Sequence, residues 1–157
     1  MKRKSTRESF PTAVRLVAEE CIAVRLRLLT RAITRLYNQA LRPQGVTVSQ
    51  MNILVAASCL GEARPQDICH VLHLEKSTLS RDVERMRRQG WLNKKSGEDG
   101  RTSLLEVTPA GAKRLEKAIP AWRRAQEEAH LLLGEPGCAA LGRAVTDLRK
   151  KGLKDPG

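Results

Sequence analysis

A mainly α-helical α+β fold, a helix-turn-helix carrying a strand hairpin between long flanking helices, is predicted by three observations. Between Gly61 and Gly111, two short amphipathic helices meet at a tight turn. A glycine-bounded hairpin with basic residues near its tip follows them directly. Apolar residues at three-four spacing extend the segment in both directions, before Leu41 and beyond Pro109, as helices with one buried face do. Together these make a winged helix-turn-helix with long N- and C-terminal helices.

Residues 1–14 carry Lys2, Arg3, Lys4 and Arg7 and read as a flexible basic tail. A first helix is expected from about Arg15 to Leu41, with Leu26, Leu29, Ile33, Leu36 and Tyr37 on its apolar face, and Pro43 and Gly45 ending the segment 15–46. The reading head, 47–108, opens with a helix from about Val48 to Leu60, capped by Thr47 or Ser49, whose inner side holds Met51, Leu54, Val55 and Cys59. Pro65 to Leu72 is a short helix burying Ile68, Val71 and Leu72, and His73-Leu74-Glu75 is the turn after it. In the next helix Leu79, Val83 and Met86 form a narrow buried stripe that Gly90 terminates. Trp91 to Lys95 starts a strand, Ser96 to Gly100 turns, and Arg101 to Val107 returns. In 109–157, Pro109 opens a helix in which Pro120 introduces a kink, and Gly134-Glu135-Pro136-Gly137 leads to a last helix around Cys138 to Lys150. The whole is expected to be one structural domain, and its end helices carry more apolar surface than a small domain hides, which favours a homodimer.

Placed at about 100° per residue, the face opposite Leu79, Val83 and Met86 holds Ser77, Thr78, Arg81, Glu84, Arg85 and Arg88, and Lys76 and Ser80 join them as candidate contacts. Alone, such a face is no more than a solvated surface. Behind a buttressing helix it suits a major groove, where arginine reaches guanine O6 and N7 with two donors and hydroxyls reach phosphates or bases. Lys94, Lys95 and Arg101 on the hairpin suit a backbone or a narrow minor groove.

Leu74-Glu75-Lys76-Ser77-Thr78-Leu79-Ser80-Arg81, then Gly90-Trp91-Leu92, Asp99-Gly100-Arg101 and Val107-Thr108-Pro109-Ala110-Gly111 resemble the MarR family of regulators in order and spacing, over roughly Ala23 to Lys150. The resemblance implies a dimer whose terminal helices interleave, which binds double-stranded DNA at a palindromic operator, mostly as a repressor, and is released by a small phenolic or lipophilic effector or by oxidation. It implies that Asp99 holds Arg101 while Arg101 enters the minor groove; a carboxylate two residues away can pre-orient a guanidinium. It also implies an effector crevice, here bordered by Tyr37 and Met51, although Tyr37 equally reads as a packed core aromatic. The peroxide-sensing branch places its reactive thiol near Cys21, with Arg25 one turn on to favour the thiolate and Cys138 as a conceivable resolving partner. That branch surrounds the thiol with tyrosines, whereas this chain has only Tyr37.

The net charge of +12, from 29 basic and 17 acidic residues, fits a polyanionic partner. No apolar run reaches the roughly 20 residues of a membrane span and no signal core follows the basic start, so a cytoplasmic, nucleoid-associated protein is expected. Four cysteines without CxxC spacing, Cys21, Cys59, Cys69 and Cys138, read as reduced thiols. Cys69, His70 and His73 cluster, but two ligands on one helix face do not make a metal site, and neither metal nor cofactor is expected. The chain has no phosphate cradle or nucleophile elbow, which argues against an enzyme. A winged helix can instead bind protein, but that use calls for apolar anchors where this chain has arginines and hydroxyls. Arg101→Ala is expected to weaken binding to a cognate duplex while leaving the circular-dichroism spectrum intact; unchanged affinity would remove the wing contact.

Overall fold

In the computed structural model, residues 9–61, 63–97 and 102–151 are described. The chain divides into two compact units, residues 1–35 and 36–157. The division falls within a helix.

The first unit is helical. Helix α1 spans Phe10–Glu20, opening with Pro11 in its first turn, where a missing N–H leaves no bond unmade. The helix therefore begins ahead of the expected start at Arg15. At Cys21 the backbone turns extended, with ψ 109, and helix α2 (Ile22–Leu41) resumes immediately. The single helix expected across this stretch is thus two. None of α1 is buried, and Phe10, Val17, Ile22 and Leu28 all stand exposed.

In the second unit, helix α3 (Val48–Leu60) is the centre, with Met51, Ile53, Leu54, Ala56 and Ala57 buried on several sides. Three N–H groups at its start are satisfied by side chains: Thr47 Oγ1 accepts from the Gln50 N–H at 3.2 Å, Gln50 Oε1 accepts from the Thr47 N–H at 3.1 Å, and Asn38 Oδ1 accepts from the Val48 N–H at 2.9 Å. This reciprocal cap is why Gln50, a polar side chain, is buried without penalty. Val55 and Cys59, expected inside, are exposed, because the core lies on the Ile53 and Ala56 side. Helix α4 (Pro65–Leu72) buries Ile68 but leaves Val71 half out. His73 ends it in the left-handed conformation, φ 49, and the chain reverses into helix α5 (Lys76–Arg88). Leu79 and Met86 of α5 are buried and Val83 partly so.

Gly90, at φ 73, lets its own N–H reach the Arg87 carbonyl and the Trp91 N–H reach that of Met86, the paired bonds of a Schellman terminus. Strands β1 (Leu92–Ser96) and β2 (Ser103–Val107) then pair antiparallel, Leu92 opposite Val107 and Lys94 opposite Leu105. The sequence reading missed Ala63, which bridges to Leu105 and accepts its N–H at 2.8 Å, so the wing is anchored to the loop before α4.

Helix α6 (Pro109–Lys151) starts at a knot. Thr108 Oγ1 accepts from the Gly111 N–H at 3.0 Å and donates to the Gly90 carbonyl at 2.6 Å, and the Thr108 N–H donates to the Trp91 carbonyl at 3.0 Å. A Cβ on Gly111 would lie 2.2 Å from that Trp91 oxygen, so no side chain fits there. Ala118, Ala121, Ala125 and Ala129 are buried along α6, which meets α3, β2 and the turn after α2. The break in helical dihedrals falls at Gly134 (φ 65, ψ 164), where the glycine-proline run placed a linker, and Pro120 stays within helix.

Gly111→Ala is expected to lower unfolding free energy by about 2 to 3 kcal/mol, because the clash is with backbone that cannot rotate away. Thr108→Ser, which keeps the hydroxyl, should be far milder. Equal urea midpoints for Gly111→Ala and the parent would contradict the close approach.

Candidate nucleic-acid interface

On α5, Lys76, Ser77, Ser80, Arg81, Arg85 and Arg88 are exposed and Thr78 is half-buried, and Lys76 and Ser80 also line a cavity with Leu79 and Val83. Their states differ. Arg81 Nε donates to the Ser77 carbonyl at 3.2 Å, which aims the two terminal nitrogens outward. Arg88 Nε sits 3.8 Å from Glu84, a carboxylate that Arg87 also holds at 3.2 Å. Exposed pairs of this kind contribute at most about 1 kcal/mol, so a phosphate can displace them. Arg85 has no side-chain partner among the described residues.

Asp82, the other acidic residue of α5, is removed from this surface, because Ser49 Oγ donates to its Oδ2 at 2.7 Å from the start of α3. That bond both ties α5 to α3 and takes a negative charge off the outer face. Nothing local in the sequence announced it. Arg87 was also missed; its pairing with Glu84 follows i,i+3 spacing.

Lys94 and Lys95 are exposed neighbours in sequence that serve opposite faces of the hairpin. Lys95 Nζ pairs with Glu106 Oε2 at 2.6 Å across the strands. Lys94, opposite Leu105, faces the interior side and lines a cavity of about 540 Å³ between α4, α5 and β2. Leu79, Val83 and Leu105 give this cavity an apolar lining, and Arg64, Lys76, Arg87 and Lys94 give it four cations against one carboxylate, Glu84, which Arg87 pairs. Ser103 also lines it, and its buried Oγ has no hydrogen-bond partner among the described residues. Burial pushes the Cys69 thiol in the same wall above its ordinary pKa, against the pull of Lys76 and with a small push from Glu75, so it stays protonated.

Tyr37 and Met51, the expected crevice residues, are both buried. The Tyr37 hydroxyl donates to Gln126 Oε1, and burial, with Cys138 adding to it, raises its pKa above the ordinary value. They act as core. Cys21 sits at the break between α1 and α2, and Arg25 donates to the Glu19 carbonyl. Cys69 faces the cavity, while the His70 and His73 rings lie 6.4 Å apart, and the described residues bring no three potential metal ligands together. Asp99 and Arg101, and Lys2, Arg3, Lys4 and Arg7, lie outside the described residues. No described helix is long and apolar enough to cross a membrane.

Residues 49–111 match a family model described as a winged helix DNA-binding domain. The chain is 29% identical over 98 residues to the HTH-type transcriptional regulator YwoH of Bacillus subtilis, an alignment spanning 62% of this chain and 72% of that one. It is 32% identical over 79 residues to the multiple antibiotic resistance protein MarR of Salmonella typhimurium, spanning 50% of this chain and 55% of MarR. Among solved structures, the M. tuberculosis transcriptional regulator MosR in complex with DNA is 32% identical with a TM-score of 0.68, covering 83% of this chain and 99% of that chain.

Two substitutions on α5 separate reading from attraction. Arg85→Ala is expected to cost about 1 to 3 kcal/mol at a preferred duplex and to relax base preference. Glu84→Gln, which frees Arg87 and Arg88, should tighten binding to every duplex and steepen its salt dependence by about one unit of slope. Uniform weakening by Arg85→Ala, or no change in slope with Glu84→Gln, would reverse these roles.

Proposed function

The chain belongs to the MarR family of winged helix-turn-helix transcriptional regulators, and from that premise we propose that it is a homodimeric repressor that occupies a palindromic operator and is released by a small organic anion. It is a DNA-binding regulator and not an enzyme. The observation that carries the reading is the outer face of α5, where Arg81, Arg85 and Arg88 stand with short hydroxyls while Asp82 is turned away.

In this reading Lys76, Ser77, Thr78, Ser80, Arg81, Arg85 and Arg88 enter the major groove from the first turns of α5. Lys95 and, by resemblance, Asp99 and Arg101 serve the flanking backbone and minor groove. Two such heads give a palindrome, since a two-fold dimer repeats one half-site. Dimerisation is supported by the apolar side chains left open on both end segments: Phe10 is 82% exposed, Ile22 70% and Leu131 85%, with Val145 and Leu148 also out. A soluble chain covers such surface with a partner. The helices of residues 15–46 and 109–157 would supply that contact. Repression follows from occupancy of the operator, in the cytoplasm on the nucleoid.

The effector site is better supported at the cavity behind α5 than near Tyr37 and Met51. Arg64, Lys76 and Lys94, a net excess of positive charge over the Arg87–Glu84 pair, stand around apolar side chains, with the Ser103 hydroxyl unpaired among the described residues, and suit an aromatic carboxylate bearing a hydroxyl. Such a ligand, lodged between α5 and the wing, would favour a head geometry that no longer fits the groove.

The test is fluorescence anisotropy of the full chain with the intergenic duplex upstream of its own gene, against a scrambled duplex at two salt concentrations, with 4-hydroxybenzoate as effector probe. Selective binding that the probe reverses in the parent, but not in Ser103→Ala, is expected. Equal binding to both duplexes would contradict the operator, and selective binding that 4-hydroxybenzoate leaves untouched would contradict the cavity as an aromatic-acid site.

A further inference from the structure

We propose that Arg114 is a positioning residue that fixes the recognition helix against the end of α2, and that it thereby sets which half-site spacing the protein accepts. The proposal rests on the two-headed reading above.

Thr108, Gly111 and Arg114 recur every third residue along one side of the start of α6, and all three engage the segment that ends α5. Thr108 and Gly111 meet the Gly90 and Trp91 backbone. Arg114 instead lays its guanidinium over the Trp91 ring, 5.2 Å from the centroid, and the same group donates through Nη1 to the Gln44 carbonyl at 2.8 Å. Gln44 closes the short 3-10 turn, Arg42–Gln44, that directly follows α2. One side chain therefore touches both the buried ring at the foot of the recognition helix and the turn at the end of α2. A planar guanidinium can stack with its face and donate from its edge at once. An ammonium offers no plane and meets only one of these demands.

The two contacts differ in kind from the rest of the junction. The backbone bonds of Thr108 and the fit of Gly111 hold the head together and survive removal of the Arg114 side chain. What is lost is the tie between the head and the turn after α2. The head then keeps its reading face and loses its fixed attitude, so sequence preference within a half-site should persist while preference for the separation of two half-sites should fade. Adding one base pair moves the second half-site by about 3.4 Å and rotates it about the axis, which is the error a rigid pair of heads rejects and a loosened pair tolerates.

The experiment selects DNA from a random duplex pool with the full-length parent, then measures binding to two copies of the recovered half-site at the selected spacer and at one base pair more and less. The parent is expected to prefer its spacer by about tenfold. Arg114→Met, which keeps the stem without the guanidinium, is expected to bind an isolated half-site as the parent does but to discriminate spacers by less than about threefold. Arg114→Lys should behave like the methionine variant, and it carries the test if Arg114→Met does not fold. Retention of the parent's spacer preference in a folded variant, whether affinity is unchanged or uniformly lowered, overturns the proposal. Recovery of a lone half-site by the parent would instead overturn the two-headed reading, and the role of Arg114 with it.

Discussion

The carbonyl of Trp91 is the point on which the second unit of this chain depends. It accepts the Thr108 N–H and sits so close to Gly111 that a methyl group there would overlap it. One residue earlier, the Gly90 carbonyl takes the Thr108 hydroxyl. The end of the recognition helix, the base of the wing and the start of the longest helix are thus joined through a few backbone atoms. Backbone contacts of this sort tolerate little adjustment. A rigid junction is useful because a reading helix must hold its angle to a groove while its own outer face stays free of packing.

That outer face is basic through selective disposal of acid as much as through its arginines. The recognition helix carries two carboxylates, and each is handled differently. Asp82 is bound by Ser49 on the neighbouring helix, where it contributes to docking. Glu84 remains outside between Arg87 and Arg88, in exposed pairs weak enough to be exchanged for phosphate. Arg85 needs no such exchange. The same helix forms one wall of the cavity through Lys76, Leu79, Ser80, Val83, Glu84 and Arg87, while in the proposed reading its Arg81, Arg85 and Arg88 meet DNA. Two ligands acting on one helix need no long path between them.

Much of this was legible in the sequence, for identifiable reasons. The helices with period-setting apolar residues and strong end signals were readable: Thr47 as cap, Pro65 as first residue, Gly90 as terminator and the run around Gly134 as a break all matched local physics. What failed involved partners distant in sequence. The break at Cys21 has no proline or glycine to mark it. Val55 and Cys59 were read as buried because three-four spacing finds a stripe even in a helix buried on several sides. The Ala63 bridge, the Ser49–Asp82 bond and the divergence of Lys94 from Lys95 depend on strand register and neighbouring elements. The cavity is likewise a property of three elements meeting, which no single segment encodes.

The central claim is that this chain places two identical reading heads on successive turns of one duplex. Hydroxyl-radical footprinting of the full-length protein on its selected duplex tests it most directly. Two protected patches on one face of the helix, about 10 base pairs apart, are predicted. A single patch, or even protection along the whole duplex, would contradict it.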